Sequence, residues 1–139
     1  MAKSFLYRLL GVGRIPASLM SQLQAEGVIL SDEGVKGSII FRDFSAPGKR
    51  FLWKRVGIVA SIALTELRLL ALSDSKPIIN VPLTDERLQA MRFWLDKDET
   101  LCVAFDAGLF QVDSTGTIEY RFRTLHAQHL LELLQKQIV

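Results

Sequence analysis

The chain is 139 residues long with a formal net charge of +2. That length supports one hydrophobic core without staples, and the charge is too small to imply a nucleic-acid partner. Hydrophobic residues make up 49% and charged residues 23%, a globular balance that excludes extended disorder.

The N-terminal stretch, MAKSFLYRLLGVG, is basic and then apolar, but Arg8 interrupts the apolar region and no small-residue cleavage site follows. The longest apolar-and-glycine run, Val56–Ala60, is far shorter than the roughly 20 residues of a membrane-crossing helix. The single cysteine, Cys102, cannot form an internal disulfide, so a cytoplasmic location is expected. Phe5, Leu6, Leu9 and Leu10 fall at helical spacing before Gly11. A second short helix starts near Pro16, carries Leu19, Met20 and Leu23 on one stripe and stops at Gly27. Residues 17–26 contain no Lys or Arg, so this stripe reads as core packing rather than a membrane-surface helix. Both helices are expected to pack outside the β region or over one of its openings.

Val28–Leu30 is a short apolar run, and Ser31–Gly34 reads as a turn. Val35–Phe44 alternates in polarity, with Gly37 on the apolar parity, which suggests a bulge or a close approach of another strand. Pro47-Gly48 makes the next turn. In the long run that follows, Val56, Ile58, Ala60, Ile62 and Leu64 share one strand face, while Trp53, Arg55, Gly57 and Ser61 occupy the other. A tight turn at Thr65–Arg68 returns the chain to Ser73. Further strands are Ile78–Leu83, Met91–Asp96, Leu101–Phe105 and Thr117–Arg123, the last with Ile118, Tyr120 and Phe122 inward and Glu119, Arg121 and Arg123 outward. Thr124 is a good N-cap for a final helix whose apolar stripe is Ala127, Leu130, Leu131, Leu134 and Ile138.

Seven strands followed by one amphipathic helix resemble the pleckstrin-homology superfold and its bacterial and GRAM-type relatives. Gly57, the run Leu64-Thr65-Glu66-Leu67-Arg68-Leu69 and the later Val81-Pro82-Leu83 are similar in wording to the GRAM-like hairpin and the strand after it. The resemblance covers about three quarters of the chain, Val35–Ile138. It implies a mainly β fold: a seven-stranded, strongly bent antiparallel barrel over residues 35–123, capped by a helix over 124–138. Residues 1–27 form an N-terminal helical extension, and the whole is one domain, 1–139. The tryptophan that eukaryotic members carry in the C-terminal helix is missing, since Trp53 and Trp94 both lie in predicted strands. A β-sandwich or a lipocalin-like barrel is the alternative.

Residues 36–55 hold Lys36, Arg42, Lys49, Arg50, Lys54 and Arg55 against the single acid Asp43, an excess of +5 in a chain whose total is +2. In lipid-binding members of the superfold, basic residues on the first two strands surround an anionic head group. The resemblance places Arg42, Lys54 and Arg55 near that position, and Lys49 and Arg50 of the same basic hairpin join them as candidate head-group ligands, although adjacent Lys54 and Arg55 point to opposite strand faces. Trp53 and Trp94, aromatic and on the exposed parity, are candidates for protein contact. His126 and His129 lack further ligands for a metal. Cys102 lacks a base, and Asp96, Asp98, Glu99, Asp106 and Asp113 lack the spacing of a calcium loop. With no nucleotide-binding or hydrolase motif, the expectation is a non-catalytic module without metal or cofactor. It acts through protein association, possibly with itself, or alternatively at an anionic membrane surface.

Overall fold

The computed structural model describes residues 14–97 and 99–138. The expected first helix, over Lys3–Leu10, lies outside them. Helix α1, Ala17–Glu26, follows Pro16 and ends at Gly27, whose φ of +89° is the left-handed stop that a side chain resists. Seven strands follow: β1 Val28–Ala46, β2 Lys49–Thr65, β3 Arg68–Ser73, β4 Lys76–Pro82, β5 Arg92–Asp96, β6 Thr100–Asp106 and β7 Thr115–Arg123. Helix α2, Ala127–Ile138, closes the described chain. The strands form one bent, unclosed antiparallel sheet in the order β4-β3-β2-β1-β7-β6-β5.

The expected turn at Ser31–Gly34 is absent. Val28 to Ala46 is one strand, with pairing shifts between Val28 and Leu30 and between Asp32 and Val35. Each shift holds one surplus residue, and Gly34, at φ +65°, lies in the second as part of a bulge, because β2 is long enough to pair along the entire stretch. The other turns form where expected. Gly48 takes φ +77° after Pro47, and the Thr65 hydroxyl accepts from the Leu67 and Arg68 amides at 3.1 and 3.0 Å. Asp74 and Ser75 both take positive φ in the two-residue turn between β3 and β4.

The inner face buries Val35, Ala60, Ile62, Leu64, Val103 and Phe122, among others, and α2 lays Ala127, Leu130 and Leu134 onto them. The Thr124 hydroxyl accepts from the His126 amide at 3.1 Å, which makes it the cap read from the sequence. A second apolar cluster sits on the opposite face of β2 and β3. There α1 covers Ala63, Leu70 and Leu72 with Leu23, and Ile15 packs beside it. That is why residues of both parities are buried from Ala60 to Thr65. Gly37 is a close approach: a Cβ there would stand 2.6 Å from the Arg121 carbonyl oxygen. Between β4 and β5, where the composition of Thr84–Gln89 reads as a charged connection, Glu86–Ala90 is a 3₁₀ turn that buries Leu88 and is capped by the Asp85 carboxylate.

No helix among the described residues is long and apolar enough to cross a membrane.

Candidate functional site

The most exposed apolar groups of the sheet lie on the β1–β2 hairpin. Between Arg42 and Phe44 the chain passes through Asp43 at φ +49°, and the β1–β7 register shifts there. The kink breaks the two-residue alternation, so Phe44 comes to lie beside Phe41, three positions earlier. Phe41, Phe44 and Phe51 then form one aromatic cluster, with ring centroids 5.0, 5.5 and 5.9 Å apart. Three packed rings at the base of a two-residue turn hold the hairpin in one conformation. Beyond them Leu52 is 81% and Trp53 60% exposed. The sequence shows all three phenylalanines but gives no sign of the kink that gathers them.

The basic residues fall into two groups. Lys49, Arg50, Lys54 and Arg55 are exposed on β2, and the Lys54 ammonium stands 4.4 Å from the Phe51 ring centroid. Arg42 is drawn away from them into an ion pair with Glu119 at 2.7 Å. Glu119, expected to point outward, does so and is nevertheless only 4% exposed. Arg42 and Arg121 both donate to it, Arg121 at 2.8 Å, and Arg121 also pairs with Asp96. Burial, reinforced by the neighbouring Arg55 and Arg42 charges, lowers the pKa of Arg121. An open groove of about 470 Å³ runs over this network, lined by Lys36, Ser38, Arg55, Thr100, Arg121 and Arg123 among others. Of the five candidate head-group ligands, Arg42, Lys49, Arg50, Lys54 and Arg55, the last alone borders it.

The two tryptophans are not brought together. Trp53 is on β2 and Trp94 on β5, with β1, β7 and β6 between them. Trp94 is half-buried and paired across from Cys102. Cys102 itself is fully buried, and desolvation together with the nearby Glu119 charge pushes its thiol up to about 11. A thiol so protonated is a poor nucleophile. A smaller apolar opening of about 240 Å³ lies between β4 and the β6–β7 region, lined by Ile78, Phe105, Phe110 and Tyr120 among others. Burial raises the Tyr120 phenol to about 12. His126, in the turn before α2, and His129, on α2, are both exposed. No group of three or more metal-ligating side chains occurs among the described residues.

Neither protein-family models nor curated proteins give a match to this chain.

Proposed function

We propose that the chain is a non-catalytic binding module of pleckstrin-homology-like fold, related to the bacterial and GRAM-type branch, that holds a protein partner at the β1–β2 hairpin. The fold reading is supported by the order of elements, seven antiparallel strands in one bent sheet and then a helix laid on the core. The functional reading is carried by one observation: Leu52 and Trp53, adjacent and 81% and 60% exposed, stand on a hairpin stiffened by packed aromatic rings. A preorganised surface bearing an exposed tryptophan is the kind of anchor that dominates protein interfaces. The lone buried Cys102 suits a reducing cytoplasm.

Affinity capture with the whole chain and with Leu52→Ser/Trp53→Ser tests this. The double variant keeps the wild-type melting temperature, because both side chains are already in water, and loses the proteins that the wild type retains. Light scattering over a range of concentrations shows whether a second copy is among the partners. Identical captured sets, together with a strict monomer, overturn the proposal.

A membrane-surface reading has its own support. Lys49, Arg50, Lys54 and Arg55 flank the Leu-Trp pair, all exposed. Side chains on a strand alternate, so two or three of them face any one plane, giving about 2–3 kcal/mol on an anionic bilayer. That is millimolar binding or weaker for a single domain. Co-sedimentation with phosphatidylserine vesicles at low and high salt, wild type against Lys54→Glu/Arg55→Glu, decides it. Binding that is absent at low salt, or indifferent to charge reversal, removes the lipid reading.

A further inference from the structure

β2 is paired on one side along its whole length and on the other along only part. It meets β1 from Lys49 to Thr65, but β3 only from Ala60 to Leu64. Among the described residues, nothing pairs with the outer edge of β2 between Lys49 and Ile58. The Val59 carbonyl accepts from the Asp74 amide at 3.0 Å, so it points away from β1. The β1–β2 register runs unbroken from Val35↔Ala60 to Arg42↔Trp53. Groups facing one neighbour alternate with groups facing the other, so the amides and carbonyls of Gly57, Arg55 and Trp53 also point away from β1.

The other two edges of the sheet are blunted. β4 carries Pro77 and Pro82, which have no amide hydrogen to offer, and β5 is five residues long with α2 packed against it. Among the described residues, β2 instead presents a straight run of open backbone from Lys49 to Ile58.

We infer that this edge takes up an acidic extended peptide segment of a partner protein as an added strand, the chemistry of its neighbouring side chains selecting acid. Between Phe44 and Thr65 the chain contains no acidic residue, while Lys54 and Arg55 lie side by side in the open stretch. An added strand sets its own residues directly across from these, one on each face. Val56 and Trp53 flank the two cations, so the complementary core is apolar-acid-acid-apolar, a pattern that reads the same in parallel and antiparallel pairing. A second copy of this edge offers Lys54 and Arg55 no acid in any register, because the stretch carries none. Two β2 edges joined through the open amides, antiparallel and centred on Arg55, would set Arg55 opposite Arg55, and like charges facing each other destabilise a sheet. A lipid surface cannot supply alternating backbone donors and acceptors.

The inference rests on the hairpin being the contact surface and adds the mode and the charge of what it contacts. The probe is a soluble capped peptide with a valine-glutamate-glutamate-valine core flanked by threonines, titrated against the whole chain with amide hydrogen exchange followed by NMR. In the free chain the Trp53, Arg55 and Gly57 amides exchange rapidly; with peptide they become protected. The same peptide with every amide N-methylated keeps its charge and loses binding. Lys54→Glu/Arg55→Glu weakens binding about tenfold, and a peptide carrying lysines in place of the glutamates restores it. Four results overturn the inference: protection of those amides in the free chain, no peptide binding, equal binding of the methylated peptide, or protection elsewhere. If Leu52→Ser/Trp53→Ser still loses captured proteins while the three amides stay unprotected, the hairpin reading stands and the added strand falls. Capture by phosphatidylserine vesicles without peptide binding overturns the inference in favour of lipid.

Discussion

The Thr124 hydroxyl donates to the Asp32 carboxylate at 2.7 Å, tying the entry of α2 to the bulged start of β1. Both residues are buried, and the same hydroxyl caps α2 by accepting from the His126 amide. Thr124→Val keeps the shape and removes both bonds. It is expected to cost about 2–3 kcal/mol, from a lost cap and a buried carboxylate short of one donor. Thr124→Ser retains the hydroxyl and should stay within about 1 kcal/mol of wild type. Urea denaturation of the pair checks this, and equal losses would show that the methyl, not the hydroxyl, matters.

Gly37 and Gly48 separate two reasons for glycine. At Gly37 a Cβ meets the Arg121 backbone carbonyl, which cannot move without parting β1 from β7. Gly37→Ala is expected to cost about 2–3 kcal/mol through overpacking. At Gly48 a Cβ meets nothing within 4 Å, but φ is +77°. Gly48→Ala therefore carries only the left-handed strain, about 1–2 kcal/mol. A Gly37→Ala variant as stable as wild type would mean that the two strands are less tightly apposed than described.

Leu134, on the core-facing side of α2, is fully buried, whereas Val112 is fully exposed in the loop before β7. Leu134→Ala should cost about 2–5 kcal/mol, and Val112→Ser should stay within about 0.5 kcal/mol. Thermal or chemical melts resolve the difference. A loss under about 0.5 kcal/mol at Leu134 would show that α2 does not close the core.

Alkaline unfolding has two assignable contributors. The Cys102 thiol is held at about 11 instead of 9.0 and the Tyr120 phenol at about 12 instead of 10.0, in both cases mainly by burial. Each fold-raised value means the folded chain binds the proton more tightly. That contribution is complete below the unfolded value and disappears as pH rises through the folded one. Stability should therefore decline from about pH 9 to about pH 12, and Cys102→Ala should delay the onset by roughly one unit. Urea midpoints against pH test this, as does a thiol reagent, which should label Cys102 only when denaturant is present. Rapid labelling of the native chain would contradict the burial.

Much of the fold was legible because the strands are amphipathic in the simplest way. Ile118, Tyr120 and Phe122 alternate with polar partners, and Pro47-Gly48 and Thr65–Arg68 announce their turns chemically. The failures share a cause, which is that local signals do not know their long-range partners. Ser31–Gly34 has turn composition, yet β2 pairs across it and converts it to a bulge. Glu119 has an outward parity, yet two arginines from β1 and β7 roof it over. Leu88 sat in a charged segment whose 3₁₀ turn carries no periodic mark. The basic hairpin was visible as charge. The removal of Arg42 into an ion pair and the bare outer edge of β2 depend on strand order, which spacing alone does not encode.

The placement of β1 between β2 and β7 bears on how a ribosome delivers this molecule. β2 emerges directly behind β1 and pairs with it at once. β7 arrives only after β3, β4, β5 and β6 have been made, and α2 later still. Throughout that interval the nascent chain displays the long hairpin with the β7 side of β1 bare and Ile39 and Phe41 without their β7 neighbours. Synthesis pauses ahead of Thr115 should therefore prolong the period in which a chaperone, or another nascent copy, meets an unfinished sheet.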